Sequence, residues 1–293
     1  APCLRSELIL EPVSIVSISS GPSGIGPASL PPLTAWLLPC GLFLCLMLTC
    51  FWFARAEQQP ESRAGRQAWG MLLAVAGYAA IMFAWMLRDM HCLIVGAAQG
   101  CQPWLNWMAI DEPILRWLFA ALAQRNPEIW AKLTWLGGVE WLSVVTALGV
   151  LWALYRRAWL QAMSWLYVGV GIALWIALIK GWVERPRPAI SLITETGWSF
   201  PSGHSAGSAA IYGLLAWLVS SYFLRRGHSW AAALCWWLAL GLAAMIGISR
   251  VVLSVHFASD VMAGWLLGTA WLGCVVAISL WAKKHAAERA LKS

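Results

Sequence analysis

Charged residues are scarce in this chain of 293 residues. Only 11% of the residues are charged, whereas 60% are hydrophobic. Soluble domains carry roughly twice that share of charge, so the composition excludes an ordinary soluble globular protein. The charges form clusters that long uncharged runs separate, and residues 12–54 contain no charge at all. This pattern predicts an integral membrane protein with several helices.

Cysteine pairs of the C-x-x-C type are absent, although the chain has eight cysteines. Most of them fall in apolar segments, where packing is the expected role. Cys92 and Cys101 share one connecting segment, and a disulfide between them requires that this segment face an oxidising compartment, so their pairing stays open. His204 and His256 also lack a cluster of cysteines or carboxylates at ligand spacing, apart from Asp260 near His256. The sequence therefore predicts neither a metal site nor a cofactor.

Seven apolar segments follow one another along the chain, and each has the ~20 residues needed to cross a hydrocarbon core of about 30 Å. The predicted fold class is therefore an all-α integral membrane protein. The stretch 88–132 is semi-polar and rich in tryptophan, and its part DEPILRWLFAALAQ is typical of a helix that lies in the membrane interface. The seven segments lie near 33–54, 68–87, 133–155, 159–179, 203–224, 229–249 and 258–282.

Basic residues at the ends of these segments predict the orientation in the membrane. The pairs Arg156-Arg157, Arg225-Arg226 and Lys283-Lys284 follow alternate segments, and their side should be cytoplasmic. The opposite side should then be the periplasm of a bacterial inner membrane. The net charge is +7, but most basic residues lie at segment ends. We therefore predict no nucleic-acid partner. Four cations nevertheless lie on the outer side, where a bound anion would explain them: Lys180, Arg185, Arg187 and Arg250.

Three short stretches on this outer side carry groups that suit a phosphate: KGWVERPRP, PSGH and SRVVLSVHFASD. Arg187 and Arg250 can each bind phosphate oxygens through paired donors, and Lys180 adds a point charge. Ser202 and the amide of Gly203 stand at a helix N-terminus, where unpaired N–H groups favour anions. These five residues are the candidates for phosphate binding.

Two histidines and a carboxylate complete the pattern. His256 and Asp260 are four residues apart, so they share one face if that stretch is helical. The carboxylate can then bind Nδ1–H and leave Nε2 free as a nucleophile. His204, in the first turn of a long apolar helix, can protonate the leaving oxygen as a general acid. Each motif alone is weak, but their coincidence on one side favours a phosphoryl-transfer site.

The three motifs together resemble the signature of the type 2 phosphatidic acid phosphatase superfamily, the membrane lipid phosphatases related to vanadium haloperoxidases. That signature reads K-x6-R-P, P-S-G-H and S-R-x5-H-x3-D, and every position is filled here with the spacing kept within each motif. The resemblance implies a core of six transmembrane helices with the site at their outer ends. The expected organisation is an N-terminal part with an extra transmembrane helix over 1–67, a membrane phosphatase domain over 68–282 and a cytoplasmic tail over 283–293.

The resemblance also implies a metal-independent reaction. His256 would attack phosphorus and form a phosphohistidine, supported by Asp260, while His204 would protonate the leaving group and then activate water. The expected substrate is a membrane lipid phosphate or pyrophosphate in the bilayer, with undecaprenyl pyrophosphate preferred over phosphatidylglycerol phosphate and phosphatidic acid. No obligate protein partner is predicted. The residues that would hold the transition state are Lys180, Ser202, Gly203, Arg187 and Arg250.

Other interpretations stay open at this point. A phosphotransferase that passes the phosphate to a lipid acceptor would use the same residues. A non-catalytic lipid-binding protein is disfavoured because nucleophile, acid and phosphate cradle are all intact. Arg185 is either a contact to the substrate headgroup or a solvent-exposed loop charge. Glu140, inside an apolar segment, is a functional carboxylate, a protonated acid or the partner of Lys132 in an ion pair at the interface.

Overall fold

The computed structural model describes residues 63–96, 100–123 and 126–290, and the regular structure within them is helical. A π-helical turn at Phe119–Ala123 extends the second of the eight α-helices in these ranges. The bounds of the helices are α1 Arg63–Val95, α2 Trp107–Leu118, α3 Pro127–Trp135, α4 Val139–Tyr155, α5 Trp159–Val183, α6 Gly203–Arg225, α7 Ser229–Val252 and α8 Ala258–Ala290.

Six stretches of these helices are long and apolar enough to cross a membrane. They correspond to α1, to α3 and α4 together, and to each of the helices α5 to α8. The predicted all-α membrane fold is therefore confirmed, while the extra helix predicted near 33–54 lies outside the described residues. Helix α8 extends to Ala290 instead of stopping near 282, because the alanine and charged residues at its end are good helix formers.

The stretch between the first two crossing segments differs from its prediction. Helix α2 begins at Trp107, before the first residue of the stretch DEPILRWLFAALAQ, because the side chain of Asn106 accepts a hydrogen bond from the N–H of Ala109 and caps the helix there. The second crossing stretch begins at Pro127 rather than near 133. Helix α2 is not among the crossing stretches, and its place in the membrane interface stays a prediction.

Helix α6 packs against α5, α7 and α8 and is the most enclosed element of the bundle. Glycines on α8 allow its backbone to approach α6 closely, since a Cβ added at Gly264 would lie 2.6 Å from the carbonyl oxygen of Ser202. This approach fixes the start of α6 beside the first turn of α8. The N–H of Ser202 donates to the backbone carbonyl of Asp260 at 3.0 Å.

The order of the helices brings the three motifs to one end of the bundle, which we call the motif end. Helices α5 and α7 end there, and α6 and α8 begin there. His91 of α1 stacks on Trp182 of α5 at the same end, with ring centroids 4.2 Å apart, and a disulfide joins Cys92 to Cys101 beside them. The basic pairs lie at the opposite end: Arg156-Arg157 after α4, Arg225-Arg226 at the end of α6 and Lys283-Lys284 late in α8.

Candidate active site

The predicted site residues lie at helix ends and in the connections between them. Polar groups can be accommodated there because helix ends leave N–H and C=O groups unpaired, and motifs far apart in sequence meet because four of the helices reach the same end. The residues are Lys180 at the end of α5, Arg187 in the α5–α6 connection, Ser202, Gly203 and His204 at the start of α6, Arg250 at the end of α7, His256 in the α7–α8 connection and Asp260 in the first turn of α8.

The imidazole of His256 is held at both of its nitrogen atoms. Nε2 lies 3.3 Å from Nη1 of Arg187, which can only donate, so Nε2 is the acceptor and Nδ1 carries the proton. Nδ1 lies 3.3 Å from the hydroxyl of Ser199. Burial lowers the pKa of His256 to about 4, so the ring is neutral at neutral pH. This tautomer gives Nε2 the lone pair that a nucleophile needs.

Asp260 reaches His256 through Ser199. The distance from Oδ2 of Asp260 to Nδ1 of His256 is 3.6 Å, which is too long for a good hydrogen bond. The hydroxyl of Ser199 lies between them and donates to Oδ2, and the N–H of Phe257 donates to the same oxygen at 2.9 Å. The carboxylate and the imidazole, which were predicted to pair directly, are therefore linked by a three-member chain from Asp260 through Ser199 to His256.

Arg185 is buried, with only 1% of its surface exposed. Nη1 lies 2.5 Å from Asp260 and Nη2 lies 2.8 Å from Asp111 of α2. Burial opposes the charge of Arg185, but the two carboxylates outweigh that effect and raise its pKa. The prediction of a headgroup contact or an exposed loop charge is therefore wrong, because two buried carboxylates already occupy the donors of this guanidinium.

Glu195 bridges the two arginines that are predicted to bind phosphate. Oε1 lies 2.5 Å from Nη2 of Arg250, and Oε2 lies 3.6 Å from Nη2 of Arg187. Arg250 also donates to Oγ1 of Thr134 at 2.9 Å. Burial opposes ionisation of Glu195, but the arginines outweigh it and lower the pKa of the carboxyl group. The two guanidinium groups thus hold a carboxylate in this structure, and their phosphate-binding role stays a prediction.

The other three residues predicted to hold phosphate have different surroundings. Lys180 donates to the carbonyl oxygen of Trp198 at 2.7 Å and lines a cavity together with Gly203. Ser202 is buried, and its hydroxyl oxygen accepts from the N–H and the hydroxyl of Ser205. The phosphate-binding roles of these residues stay predictions, and for Ser202 the structure adds the role of N-cap of helix α6.

A cavity of about 1420 Å³ opens beside the site, between helices α3, α4, α5 and α6. Its walls are mainly apolar, and its polar part includes Lys180, Glu195, His204 and Arg250. His256 is only 1% exposed and does not line this cavity. The apolar space of the cavity therefore lies directly beside His204, the predicted general acid, and beside the Glu195–Arg250 ion pair.

Glu140 lies in the first turn of α4 and lines the same cavity. A Cβ added at Gly138 would lie 3.2 Å from Oε2 of Glu140 and 4.0 Å from Nε2 of His204, so both side chains face one small space. The salt bridges among the described residues do not include a pair of Lys132 with Glu140. The structure thus gives no support to the ion pair with Lys132, and the other two interpretations of Glu140 stay predictions.

The histidines and carboxylates of the site contact arginines and hydroxyl groups. His256 lies against Arg187 and Ser199, and Asp260 binds Arg185. Among the described residues, no group of three or more His, Cys, Asp or Glu side chains could hold a metal ion. The metal-independent reaction that the motifs imply stays a prediction.

Four polar residues outside the motifs also belong to the site: Ser199, Glu195, Asp111 and Thr134. Glu195 and Ser199 lie in the same connection as Arg187. Their position between two motifs could therefore have predicted that they belong to the site. Asp111 and Thr134 carry no such signal, because helices α2 and α3 approach the site only in the folded bundle.

The fold and the site together define a helical, multi-pass membrane protein with a cluster of histidines and arginines at one end of the bundle. The sequence pattern described as the PAP2 superfamily matches residues 163–284. Phosphatidylglycerophosphatase B of Bacillus subtilis is 33% identical over 165 residues, which cover 54% of this chain and 77% of that protein. The chain therefore belongs to the PAP2 superfamily, and it is a membrane protein of the lipid phosphatase type.

Further comparisons agree with this assignment. The crystal structure of a transmembrane PAP2-type phosphatidylglycerolphosphate phosphatase from Bacillus subtilis matches with a TM-score of 0.57 and 27% identity, covering 69% of this chain and 96% of that chain. Decaprenylphosphoryl-5-phosphoribose phosphatase of Mycobacterium tuberculosis is 32% identical over 126 residues, which cover 41% of this chain and 60% of that protein. The relatives thus carry the names of two different lipid substrates.

Proposed function

We propose that this protein hydrolyses the terminal phosphate of a membrane lipid through a phosphohistidine on His256. Nε2 of His256 attacks phosphorus while the bond from phosphorus to the lipid oxygen breaks, and His204 gives its proton to that oxygen. His204 then takes a proton from a water molecule, whose oxygen attacks the phosphohistidine. The phosphorus–nitrogen bond breaks, inorganic phosphate leaves, and both histidines regain their starting protonation states.

The orientation of His256 carries this proposal. Its lone pair on Nε2 points to Arg187, the cationic side of the site, while the other nitrogen faces the Ser199–Asp260 pair. Nε of Arg250 is buried and has no hydrogen-bond partner among the described residues, so a donor is open to a phosphate oxygen. Fixed cations around the attacked phosphorus stabilise the charge of the transition state.

The cavity supports a lipid as the substrate, because its apolar walls suit a hydrocarbon chain and its polar part holds His204 and the cations. Phosphatidylglycerol phosphate is the first substrate we propose, since the curated relative and the solved structure from Bacillus subtilis both carry its name. Undecaprenyl pyrophosphate, which the family resemblance favoured, takes second place on the strength of the relative named for a decaprenyl lipid. Phosphatidic acid is the third.

Release of phosphate from these three lipids by the purified protein in detergent tests the proposal. With EDTA present, we expect the wild type to release phosphate and His256→Ala to lose at least about a thousandfold in rate. His285→Ala, which changes a histidine far from the motifs, should keep the wild-type rate. Release that survives His256→Ala, or that EDTA abolishes, would contradict the proposed mechanism. A phosphohistidine that forms without release would indicate transfer to a lipid acceptor instead.

The active site is proposed to face the periplasm of a bacterial inner membrane. The disulfide Cys92–Cys101 at the motif end supports this side, because disulfides persist in oxidising compartments. The basic pairs at the opposite end support it as well. In intact cells, an impermeant maleimide should label Ala189→Cys at the motif end and should label Ser229→Cys only after permeabilisation. The reverse pattern would overturn this orientation.

A further inference from the structure

A second carboxylate lies behind the candidate active site, on a helix that none of the motifs includes. Asp111 of α2 has no exposed surface and binds the first turn of α8 from outside. It accepts from the N–H of Ser259 at 2.8 Å and from the hydroxyl of Ser259 at 2.5 Å. The neighbour of Ser259 in the chain is Asp260, so Asp111 fixes the backbone that carries the carboxylate of the site.

Asp111 also reaches the side chain of Asp260 through an arginine. Oδ2 of Asp111 lies 2.8 Å from Nη2 of Arg185, and Nη1 of the same guanidinium lies 2.5 Å from Oδ1 of Asp260. The other oxygen of Asp260 accepts from Ser199, which faces His256. An unbroken chain of polar contacts therefore runs from α2 to the imidazole.

We propose that Asp111 is a positioning residue for His256 and acts through Arg185 and Asp260. The inference rests on the proposed function, in which His256 is the nucleophile. The guanidinium of Arg185 is planar and its geometry is fixed. The contact of Arg185 with Asp111 therefore determines where Arg185 holds the carboxylate of Asp260. Asp260 and Ser199 in turn fix the ring plane of His256 and keep the proton on Nδ1.

The burial of the polar contacts between Asp111 and His256 favours a positioning role for these residues over substrate binding. Arg185 and Asp260 are both buried and neither lines the cavity, and the Nη atoms of Arg185 donate to Ser259, Asp260 and Asp111. Burial raises the pKa of the Asp111 carboxyl group, against the opposing effect of Arg185. The buried carboxylate of Asp111 needs Arg185 as its partner, because an unpaired buried charge is strongly unfavourable.

Asp111→Asn is the variant that tests the proposal. The amide keeps one oxygen for the N–H of Ser259, but its NH2 group can no longer accept from Arg185. Misplacing a catalytic group by about 1 Å costs roughly a hundredfold in rate, so we expect kcat to fall by about 10- to 100-fold. KM and the dissociation constant of inorganic phosphate should change less than about twofold, because the cradle of Arg187 and Arg250 is intact.

Variants of Arg185 show whether Asp111 acts on His256 through Arg185. Arg185→Gln should lower kcat at least as much as Asp111→Asn, and Arg185→Lys should regain part of the loss because it keeps the charge. The double variant Asp111→Asn/Arg185→Gln should be no slower than Arg185→Gln alone. Additive losses in the double variant would overturn the proposed route through Arg185.

Asp89→Asn is the matched control for removing a buried carboxylate. Asp89 has no exposed surface, pairs with Arg88 and accepts from the N–H groups of Trp104 and Leu105, but none of these contacts leads to His256. If Asp89→Asn lowers kcat as much as Asp111→Asn, at equal thermal stability, the positioning role is refuted. An unchanged kcat in folded Asp111→Asn would refute it too, whereas activity that survives His256→Ala would refute the proposed function itself.

Discussion

Oε1 of Glu195 lies 2.5 Å from Nη2 of Arg250, and this ion pair stands on the wall of the cavity beside His204. The carboxylate thus occupies donors that the proposed reaction assigns to phosphate. A substrate phosphate has to displace it, or share Arg187 and Arg250 with it, before His256 can be reached. Glu195 is anionic at neutral pH because the two arginines lower the pKa of its carboxyl group, so it competes with the substrate.

Glu195→Gln should therefore bind phosphate more tightly. A hydrogen bond to a charged group contributes about 1.5–3 kcal/mol, and part of that energy is lost when the substrate displaces the carboxylate. We expect KM and the inhibition constant of inorganic phosphate to fall about tenfold in the variant. Glu184→Gln, an exposed glutamate in the same connection, is the control and should change neither. A higher KM in Glu195→Gln would show that the carboxylate assists binding.

The neutral state of His256 can be tested by its titration. Burial favours the uncharged ring and lowers the pKa of His256 to about 4, whereas an exposed histidine titrates near 6.5. The ring should therefore stay neutral and nucleophilic as pH falls from 7 to about 5, and should gain its proton only near pH 4. NMR of protein with labelled histidine measures this, with His256→Gln to assign the signal. A midpoint near 6.5 would contradict the buried geometry.

The cavity should select for the lipid chain rather than for the phosphate. Ala177 lines the cavity one turn before Lys180, and Ala177→Phe would fill part of the apolar space. We expect KM for a long-chain substrate to rise about tenfold, which corresponds to ~1.4 kcal/mol, while a short-chain phosphate is hydrolysed as before. Leu178→Phe, at an exposed position outside the cavity, is the control. Equal effects on both substrates would argue against chain binding here.

The close contact of α6 and α8 makes a prediction about stability. A Cβ at Gly264 would lie 2.6 Å from the carbonyl oxygen of Ser202, whereas one at Gly241 of α7 would meet nothing within 4 Å. Gly264→Ala should therefore destabilise the protein by about 1–3 kcal/mol, and Gly241→Ala should be neutral or stabilising because alanine favours helix. Thermal unfolding in detergent compares the two. Equal or higher stability of Gly264→Ala would contradict the packing.

Motif spacing predicted the site residues that lie close together in sequence. His256, Asp260 and Arg250 occur within eleven positions, and the start of α8 brings them together by local geometry. Asp111 and Thr134 were missed because nothing in α2 or α3 marks a polar residue that the bundle will bury. Long apolar runs likewise predicted the crossing helices, whereas the start of α2 depends on the cap at Asn106 and was misplaced.

Arg185 shows why a charge in a basic connection cannot be interpreted from its neighbours alone. Its sequence context, between Glu184 and Pro186, is that of an exposed loop. The partners that bury it are Asp111, 74 residues before it, and Asp260, 75 residues after it. Only the packing of α2 against the start of α8 brings those two carboxylates to one place.

The central claim is that the phosphate passes through His256, and trapping the intermediate tests it most directly. The protein is mixed with substrate labelled in its terminal phosphate and quenched in alkali, which preserves phosphohistidine. We expect label on the peptide that contains His256 in the wild type and none in His256→Ala. Turnover without label on His256 in any of these samples would contradict the mechanism.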